Sequence, residues 1–360
     1  MPATTGMKGA GYYDQHSAPQ LASMQLVFSW IENAIATMSL PPDSQPFTAL
    51  DLGSSEGRNA LIVMSTVAEA VRQRRPGQPV QTIYSDLPSN NFNRLFTNLH
   101  EARTAGRISA EIYPSAVAGS FYESLVPPNS VHFAIAFNAL LWLDRLPDAP
   151  VPDFVVYRRP HPPRPGWQVL PETVGAFTRQ AEQDLTRFLE VRAREMVSGG
   201  KLLIVSPGDS ADHCICDGLY DVLNDACLDL ITAGRLERER YERFTMPLYL
   251  RTVPETLAPL EREGSPVKGV FAVDRVESLE APTPFLTEFD KTGDAAALAD
   301  AYTGFLRAFS EPVARAALVG TDGDTALMDE LFGRVHARMK AEPERYRFRY
   351  ILTATLFTRC

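Results

Sequence analysis

The densest chemistry in the sequence lies in the run Asp51-Leu52-Gly53-Ser54-Ser55-Glu56-Gly57-Arg58-Asn59. Residues 47–51 read as a short buried strand and 59–74 as a helix, so the two glycines fall in the turn between them. Glycine there lets the backbone approach a ligand closely, with the helix N–H groups nearby. The spacing is acid-x-Gly-x-x-x-Gly, not the Gly-x-Gly-x-x-Gly that brings a pyrophosphate to a helix start. An acid at the head of the turn suits a cationic amino group better than a diphosphate. Alone, the run is also compatible with a purely structural glycine turn. A second strand, 81–86, again ends in an acid, Asp86. A carboxylate at that tip can accept hydrogen bonds from two vicinal ribose hydroxyls, or serve only as an N-cap. Taken together, Asp51, Gly53 and Asp86 point to a nucleoside that carries an amino acid. S-adenosylmethionine has that make-up.

These residues need a frame, and the pattern along the chain supplies one. A helix is expected over 21–38, ended by Pro41, Pro42 and Pro46. After Asp86 come a helix over 91–99, a strand over 131–137 and a Pro-rich loop or lid over 145–171. A long amphipathic helix over 173–197 stops at Gly199-Gly200 and leads into a strand over 201–206. Residues 215–265 read as helical with a break, 270–276 as a strand, 295–340 as helical and 350–357 as a closing apolar strand. Strands alternating with helices predict an α/β, mostly parallel sheet. The core is expected in 40–150, 198–210 and parts of 268–360. The helical stretches 1–39, 151–197, 211–267 and 295–340 exceed what crossovers need. They predict a cap over the carboxyl ends of the strands, where ligands of such sheets bind.

The 360 residues carry a formal net charge of −9 with no basic run, which argues against a nucleic-acid partner. No apolar leader opens the chain, and the longest apolar stretch, 131–143, is interrupted by His132 and Asn138. Neither a secretory signal nor a membrane span is therefore expected. Cys214, Cys216, Cys227 and Cys360 form no disulfide framework, so a reducing cytoplasm is the expected setting. His213-Cys214-x-Cys216 lacks a second ligand pair, and no metal is expected.

Several further motifs bring the chain close to a known family. The segment from Tyr13 through Ser17 to Gln20, the run 51–59, Asp86-Leu-Pro-Ser-Asn-Asn-Phe-Asn93, Gly119-Ser-Phe-Tyr122 and Leu140-Leu-Trp142-Leu resemble the SABATH methyltransferases. Gly199-Gly-Lys-Leu202 and Phe244-Thr-Met-Pro-Leu-Tyr249 add to the likeness, which spans nearly the whole chain. The resemblance implies a Rossmann-like methyltransferase sheet and an S-adenosylmethionine cofactor that leaves as S-adenosylhomocysteine. It also implies methyl transfer to the carboxylate oxygen of a small organic acid, and a homodimer. Position by position, Tyr13, Ser17, Asp51, Asn59, Asp86, Leu87, Ser120 and Phe121 would line the cofactor. Asp86 would take the ribose, Ser120 and Phe121 the adenine side, and Asp51 and Asn59 the methionyl end. Gln20 and Trp142 would hold the substrate carboxylate. Ser54, Arg58, Asn138, Leu141 and Thr245 depart from the residues usual in the family. Asn138 and Leu141 should flank the acid, so these departures bear on substrate identity. The Pro-rich insertion looks unlike plant members and suggests a microbial branch.

A carboxylate is ionised at neutral pH, since its reference pKa is about 4, so no general base is expected. Gln20 and Trp142 would orient it as neutral donors, while Leu141, Tyr220 and Phe348 exclude water. The competing readings are N-methylation of a purine-like heterocycle, a nicotinamide oxidoreductase, which the missing Gly-x-Gly-x-x-Gly opposes, and a cofactor-binding module without turnover.

Overall fold

The computed structural model describes residues 6–109, 111–158, 170–210, 212–319 and 325–360. Seven strands form one sheet: β1 (Phe47–Leu52), β2 (Val80–Asp86), β3 (Ile112–Ala118), β4 (Val131–Phe137), β5 (Met196–Pro207), β6 (Phe271–Ala281) and β7 (Tyr350–Arg359). Their order is β3-β2-β1-β4-β5-β7-β6. The five strands β1 to β5 pair in parallel, and β7 runs antiparallel to both β5 and β6. The chain starts outward from β1 to β3 and then returns to place β4 on the other side of β1. The resulting switch point between β1 and β4 is where open sheets of this kind bind ligands.

Every residue of β1 is buried, as expected for a strand covered on both faces. Alternate side chains enter opposite layers. Phe47, Ala49, Phe133, Ile135, Leu203 and Val205 join one apolar cluster, with Ile31 and Ile35 of α3 (Phe28–Thr37) and Val63 and Val67 of α4 (Arg58–Arg74). Two shorter helices, α1 (Tyr12–His16) and α2 (Ala18–Gln25), precede α3, and α5 (Phe92–Thr104) follows β2. Leu50, Leu52, Ala134, Ala136, Leu202 and Ile204 point the other way, against Leu185, Phe188 and Leu189 of α6 (Pro171–Glu195). The remaining helices are α7 (Cys216–Thr232), α8 (Arg238–Glu242), α9 (Val253–Glu261), α10 (Pro284–Thr292), α11 (Ala295–Leu318) and α12 (Thr325–Ala341). Of these, α11 packs against α1, α10 and α12, and α12 packs against α7.

Several elements differ from the sequence expectation for identifiable reasons. The edge strand β3 contains Pro114, a residue that argues against a strand unless one side of that strand needs no partner. The single helix expected over 21–38 is two helices, α2, which already starts at Ala18, and α3, with a break at Leu26 and Val27. Gly199 does not end a helix. It sits inside β5 at φ 78°, where the register against β4 shifts, so α6 passes directly into the strand. The short helix α10 carries a strongly one-sided pattern that the Pro-rich flank at 282–284 conceals. The described part of the expected 145–171 loop holds one 3-10 turn, Pro152–Phe154. Its prolines at 160, 162, 163 and 165 lie outside the described residues. No helix among the described residues is long and apolar enough to cross a membrane.

Candidate active site

The glycine turn after β1 is built by steric necessity. Gly53 has φ 99°, and a Cβ there would stand 2.9 Å from the Ala139 Cβ. Gly57 has φ 97°, and a Cβ would stand 2.3 Å from Leu95 Cδ1. Side chains are disfavoured by conformation at both positions, and at Gly53 by the Ala139 methyl as well. The turn is tied to β2, whose Ser85 carbonyl accepts from the backbone N–H groups of Gly53 and Ser54, each at 2.9 Å. Asp86 at the tip of β2 accepts from the Ser55 N–H through Oδ2 and from the Leu87 N–H through Oδ1, both at 2.7 Å. Each of its oxygens keeps a lone pair for a further donor. Burial pushes the Asp86 carboxyl up to about 6 despite these two bonds. Asp51 is 4% exposed, and its Oδ2 has no hydrogen-bond partner among the described residues. Burial first, and the Asp86 charge second, push its carboxyl up to about 8.

The N-terminal segment is clasped onto this turn. The Glu56 carboxylate accepts from the Gly11 N–H at 3.0 and 2.9 Å and from Asn91 Nδ2 at 3.3 Å. Arg58 donates to the Asp14 carbonyl at 2.8 Å, and Asn59 Nδ2 donates to Ser17 Oγ at 3.0 Å. On the other side Lys8 reaches α11, through its N–H to the Ala308 carbonyl at 2.8 Å and its ammonium to Glu311 at 2.5 Å. These bonds set α1 and α2 over the carboxyl end of the sheet and so position Tyr13, Ser17 and Gln20.

Two adjoining cavities result. The first, of about 690 Å³, is lined by Tyr13, Gly53, Asp86, Leu87, Ser120, Phe121, Asn138 and Trp142, among others. The second, of about 460 Å³, is lined by Gln20, Leu141 and Tyr220, with Leu219, Phe305 and Tyr350 among its other walls. Met7, Tyr13, Asn138 and Trp142 line both, so they form the boundary between the two spaces. Ser17, Asp51 and Asn59 are buried but are not lining residues of either cavity. Phe348 does not reach the second cavity either. It lines a separate surface groove and stacks on Phe305 at 5.9 Å, behind the cavity wall. Phe121 is held edge-on against Phe188 of α6 at 6.1 Å, and Tyr122 donates its phenol proton to the Trp142 carbonyl at 2.8 Å.

Some residues here were not anticipated. Met7 lies in a polar, Gly-rich stretch without periodicity, and Tyr350 opens a strand far from any motif. Glu56 lies inside the run 51–59, but only the fold shows that it clasps Gly11. The four cysteines are free, three of them buried, and none lines either cavity. Cys216 donates its N–H to Cys214 Sγ at 3.3 Å, which closes a local turn at the start of α7.

The residues fit S-adenosylmethionine on chemical grounds. A buried carboxylate oxygen without a partner awaits a cationic amino group, Asp86 retains two acceptor positions for a diol, and Phe121 offers an aromatic edge for a base. A family profile described as SAM dependent carboxyl methyltransferase matches residues 3–360. Indole-3-acetate O-methyltransferase 1 of Oryza sativa subsp. japonica is 31% identical over 322 residues, covering 81% of this chain and 76% of that protein. The 3,7-dimethylxanthine N-methyltransferase TCS1 of Camellia sinensis var. assamica is 28% identical, covering 91% of this chain and 88% of its own. Among solved structures, loganic acid methyltransferase with SAH superposes with a TM-score of 0.79 at 23% identity, covering 98% of both chains. This chain belongs to the SABATH family of S-adenosylmethionine-dependent carboxyl methyltransferases. It uses S-adenosylmethionine and transfers the methyl group to a carboxylate oxygen of a small organic acid.

Proposed function

We propose that the first cavity takes the cofactor and the second takes an acid with one carboxylate and an apolar body. The observation that carries this reading is the lining of the second cavity. Tyr13, Gln20, Asn138, Trp142, Tyr220 and Tyr350 are its neutral polar residues, and the rest are apolar; no Lys, Arg or His lines it among the described residues. A second carboxylate buried there would meet no countercharge and would carry a desolvation cost of several kcal/mol. Short dicarboxylates are therefore disfavoured.

The bound cofactor supplies an electrophilic methyl group on a sulfonium. The protein's own work is alignment and exclusion of water. Asp51 and Asn59 serve the methionyl end, Asp86 the ribose, and Ser120 with Phe121 the adenine side, with Tyr13, Ser17, Gly53 and Leu87 completing the walls. Gln20 and Trp142 hold the acid at the boundary between the cavities, where reacting atoms must come within about 3–3.5 Å in line. Both donors are neutral, so the oxygen keeps its nucleophilicity, and no base is required because the acid arrives ionised. Leu141 and Tyr220 shield the reacting atoms, and Phe348 supports Phe305 from behind. Charge is cancelled as the methyl moves, which a dry pocket favours.

A division of labour accompanies this reading. The sheet core holds the cofactor, and the helices of 1–39, 211–267 and 295–340 cap the acid, as the contributions of α2, α7 and α11 to the second cavity support. The stretch 151–197 shares both roles, since α6 also covers a sheet face. A cytoplasmic homodimer completes the proposal, supported by the free thiols and by the family likeness.

The test is a methyl-transfer screen with labelled cofactor over indole-3-acetate, phenylacetate, hexanoate, succinate and two xanthines. We expect base-labile methyl esters from the monocarboxylates and little product from succinate. Turnover of the xanthines without ester formation overturns the reading in favour of N-methylation.

A further inference from the structure

Asn138 stands where the two cavities meet, at φ 52° immediately after β4, a conformation asparagine tolerates better than most residues. The direction of its amide is dictated by its neighbours. The Ser23 hydroxyl gives its only proton to the Gln20 carbonyl at 2.7 Å, so toward Asn138 it can only accept. Asn138 Nδ2 donates to that oxygen at 3.1 Å. On the other side Asn138 Oδ1 accepts the phenol proton of Tyr350 at 3.2 Å. Ser23 is fully buried and Tyr350 is 3% exposed, so neither proton has an alternative in water. Turning the amide over would set two acceptors face to face at Ser23. The amide nitrogen carries two protons, and only one is used.

Resting on the proposed placement of the acid, we infer that the second Asn138 N–H is a third neutral donor to the substrate carboxylate, beside Gln20 and Trp142. Ser23 and Tyr350 are positioning residues that keep that donor, and not the amide oxygen, turned to the site. The trio discriminates a carboxylate, which only accepts, from a neutral amide or heterocycle that offers an N–H. It also links the donor at β4 to Gln20, because Ser23 bonds both.

The experiment compares matched ligands on the full chain saturated with S-adenosylhomocysteine. Calorimetric affinities are measured for indole-3-acetate and indole-3-acetamide, and for phenylacetate and phenylacetamide. The wild type should prefer each acid over its amide by roughly ten-fold or more. Asn138→Asp, which tolerates the same backbone conformation, presents acceptors only and should lower that ratio by about a hundred-fold or invert it. The double variant Ser23→Ala/Tyr350→Phe frees the amide to turn and should bring the ratio toward one. In the Ser23→Ala/Tyr350→Phe variant, neither of whose residues lines the first cavity, S-adenosylhomocysteine affinity should hold, which separates the effect from unfolding. Unchanged acid-to-amide ratios in the variants of an enzyme that methylates these acids overturn the inference alone. A wild type that methylates none of the acids overturns the carboxylate placement and the inference with it.

Discussion

Asp51 and Asp86 lie on adjacent strand ends but differ in what they already hold. Burial raises both carboxyls; Asp86 is held nearer 6 by a backbone donor on each oxygen, whereas Asp51 also faces the Asp86 charge, has no partner on Oδ2 and lies near 8. A carboxyl whose pKa is raised in the folded state contributes stability that is complete below about pH 4 and lost as pH rises through the folded value. The ligand-free enzyme should therefore lose stability between about pH 5 and 8, and a cationic amino group paired with Asp51 should restore it. Two outcomes are expected. S-adenosylhomocysteine affinity should climb with pH from 6 to 8, with proton release on binding. Asp51→Asn should raise the ligand-free melting temperature at pH 8 while weakening the cofactor about ten-fold or more. A variant that weakens the cofactor but does not stabilise the ligand-free protein contradicts the account. At the boundary between the cavities, Trp142→Phe keeps most of the apolar bulk and deletes the only donor of that side chain. It should retain cofactor affinity and lose methyl transfer by roughly ten- to a hundred-fold. Combined with Gln20→Ala the losses should be less than additive, since both donors orient one group. A fall in melting temperature with unchanged specific activity would instead identify Trp142 as a packing residue.

At the scale of elements, the site depends on how α1 is attached. This five-residue helix is too short to stand alone and has no side-chain N-cap. Its entry is held by the Glu56 carboxylate on the Gly11 N–H, so the glycine turn and the N-terminal segment form one unit. Glu56→Ala should loosen Tyr13, Ser17 and Gln20 together. The expected signature is a joint rise of KM for cofactor and acid, each about ten-fold, with a small change in melting temperature. Steady-state kinetics with both substrates varied provides the check. A rise in only one of the two constants would show that the two cavities are not coupled through α1. The same unit holds Gly57 at φ 97°, a backbone conformation that strains any L side chain, so a substitution there is disfavoured.

Over the whole molecule, the loop after β3, proposed above to hold the adenine side, is supported by α6. Arg192 of α6 is fully buried and donates to the Phe121 and Glu123 carbonyls, both at 2.9 Å. Its charge lies 2.8 Å from the equally buried Glu195, which accepts the Leu125 N–H at 2.6 Å and the Val126 N–H at 3.2 Å. The loop after β3 is thus pinned at four backbone groups by one ion pair. Desolvation lowers the Arg192 guanidinium to about 10, with Glu195 opposing that shift. Arg192→Met leaves Glu195 buried and unpaired, at a cost of about 3–5 kcal/mol. Thermal and denaturant melts should show this loss, and Arg192→Met/Glu195→Gln should recover part of it. S-adenosylhomocysteine binding to the folded fraction should weaken in the single variant, since Ser120 and Phe121 lose their support. A stable Arg192→Met protein with native cofactor affinity would refute the role.

The sequence by itself determined the strand-to-helix glycine turn, the acids at two strand ends and the α/β alternation, because each is written in residues close along the chain. A short apolar run bounded by Pro46 and Gly53 reads as a buried strand, and φ near 100° at Gly53 and Gly57 accords with the turn they form. The tertiary structure decided what is brought together from far apart. Pro114 concealed β3 until its position at the sheet edge removed the objection. Phe348 has the right character for an acid pocket, yet the fold sets Phe305 in front of it. Tyr350 is 212 positions from Asn138, and Ser23 is 115 positions from it, so no local pattern predicts that they fix one amide. Such contacts depend on strand order and helix packing, which periodicity and spacing do not encode.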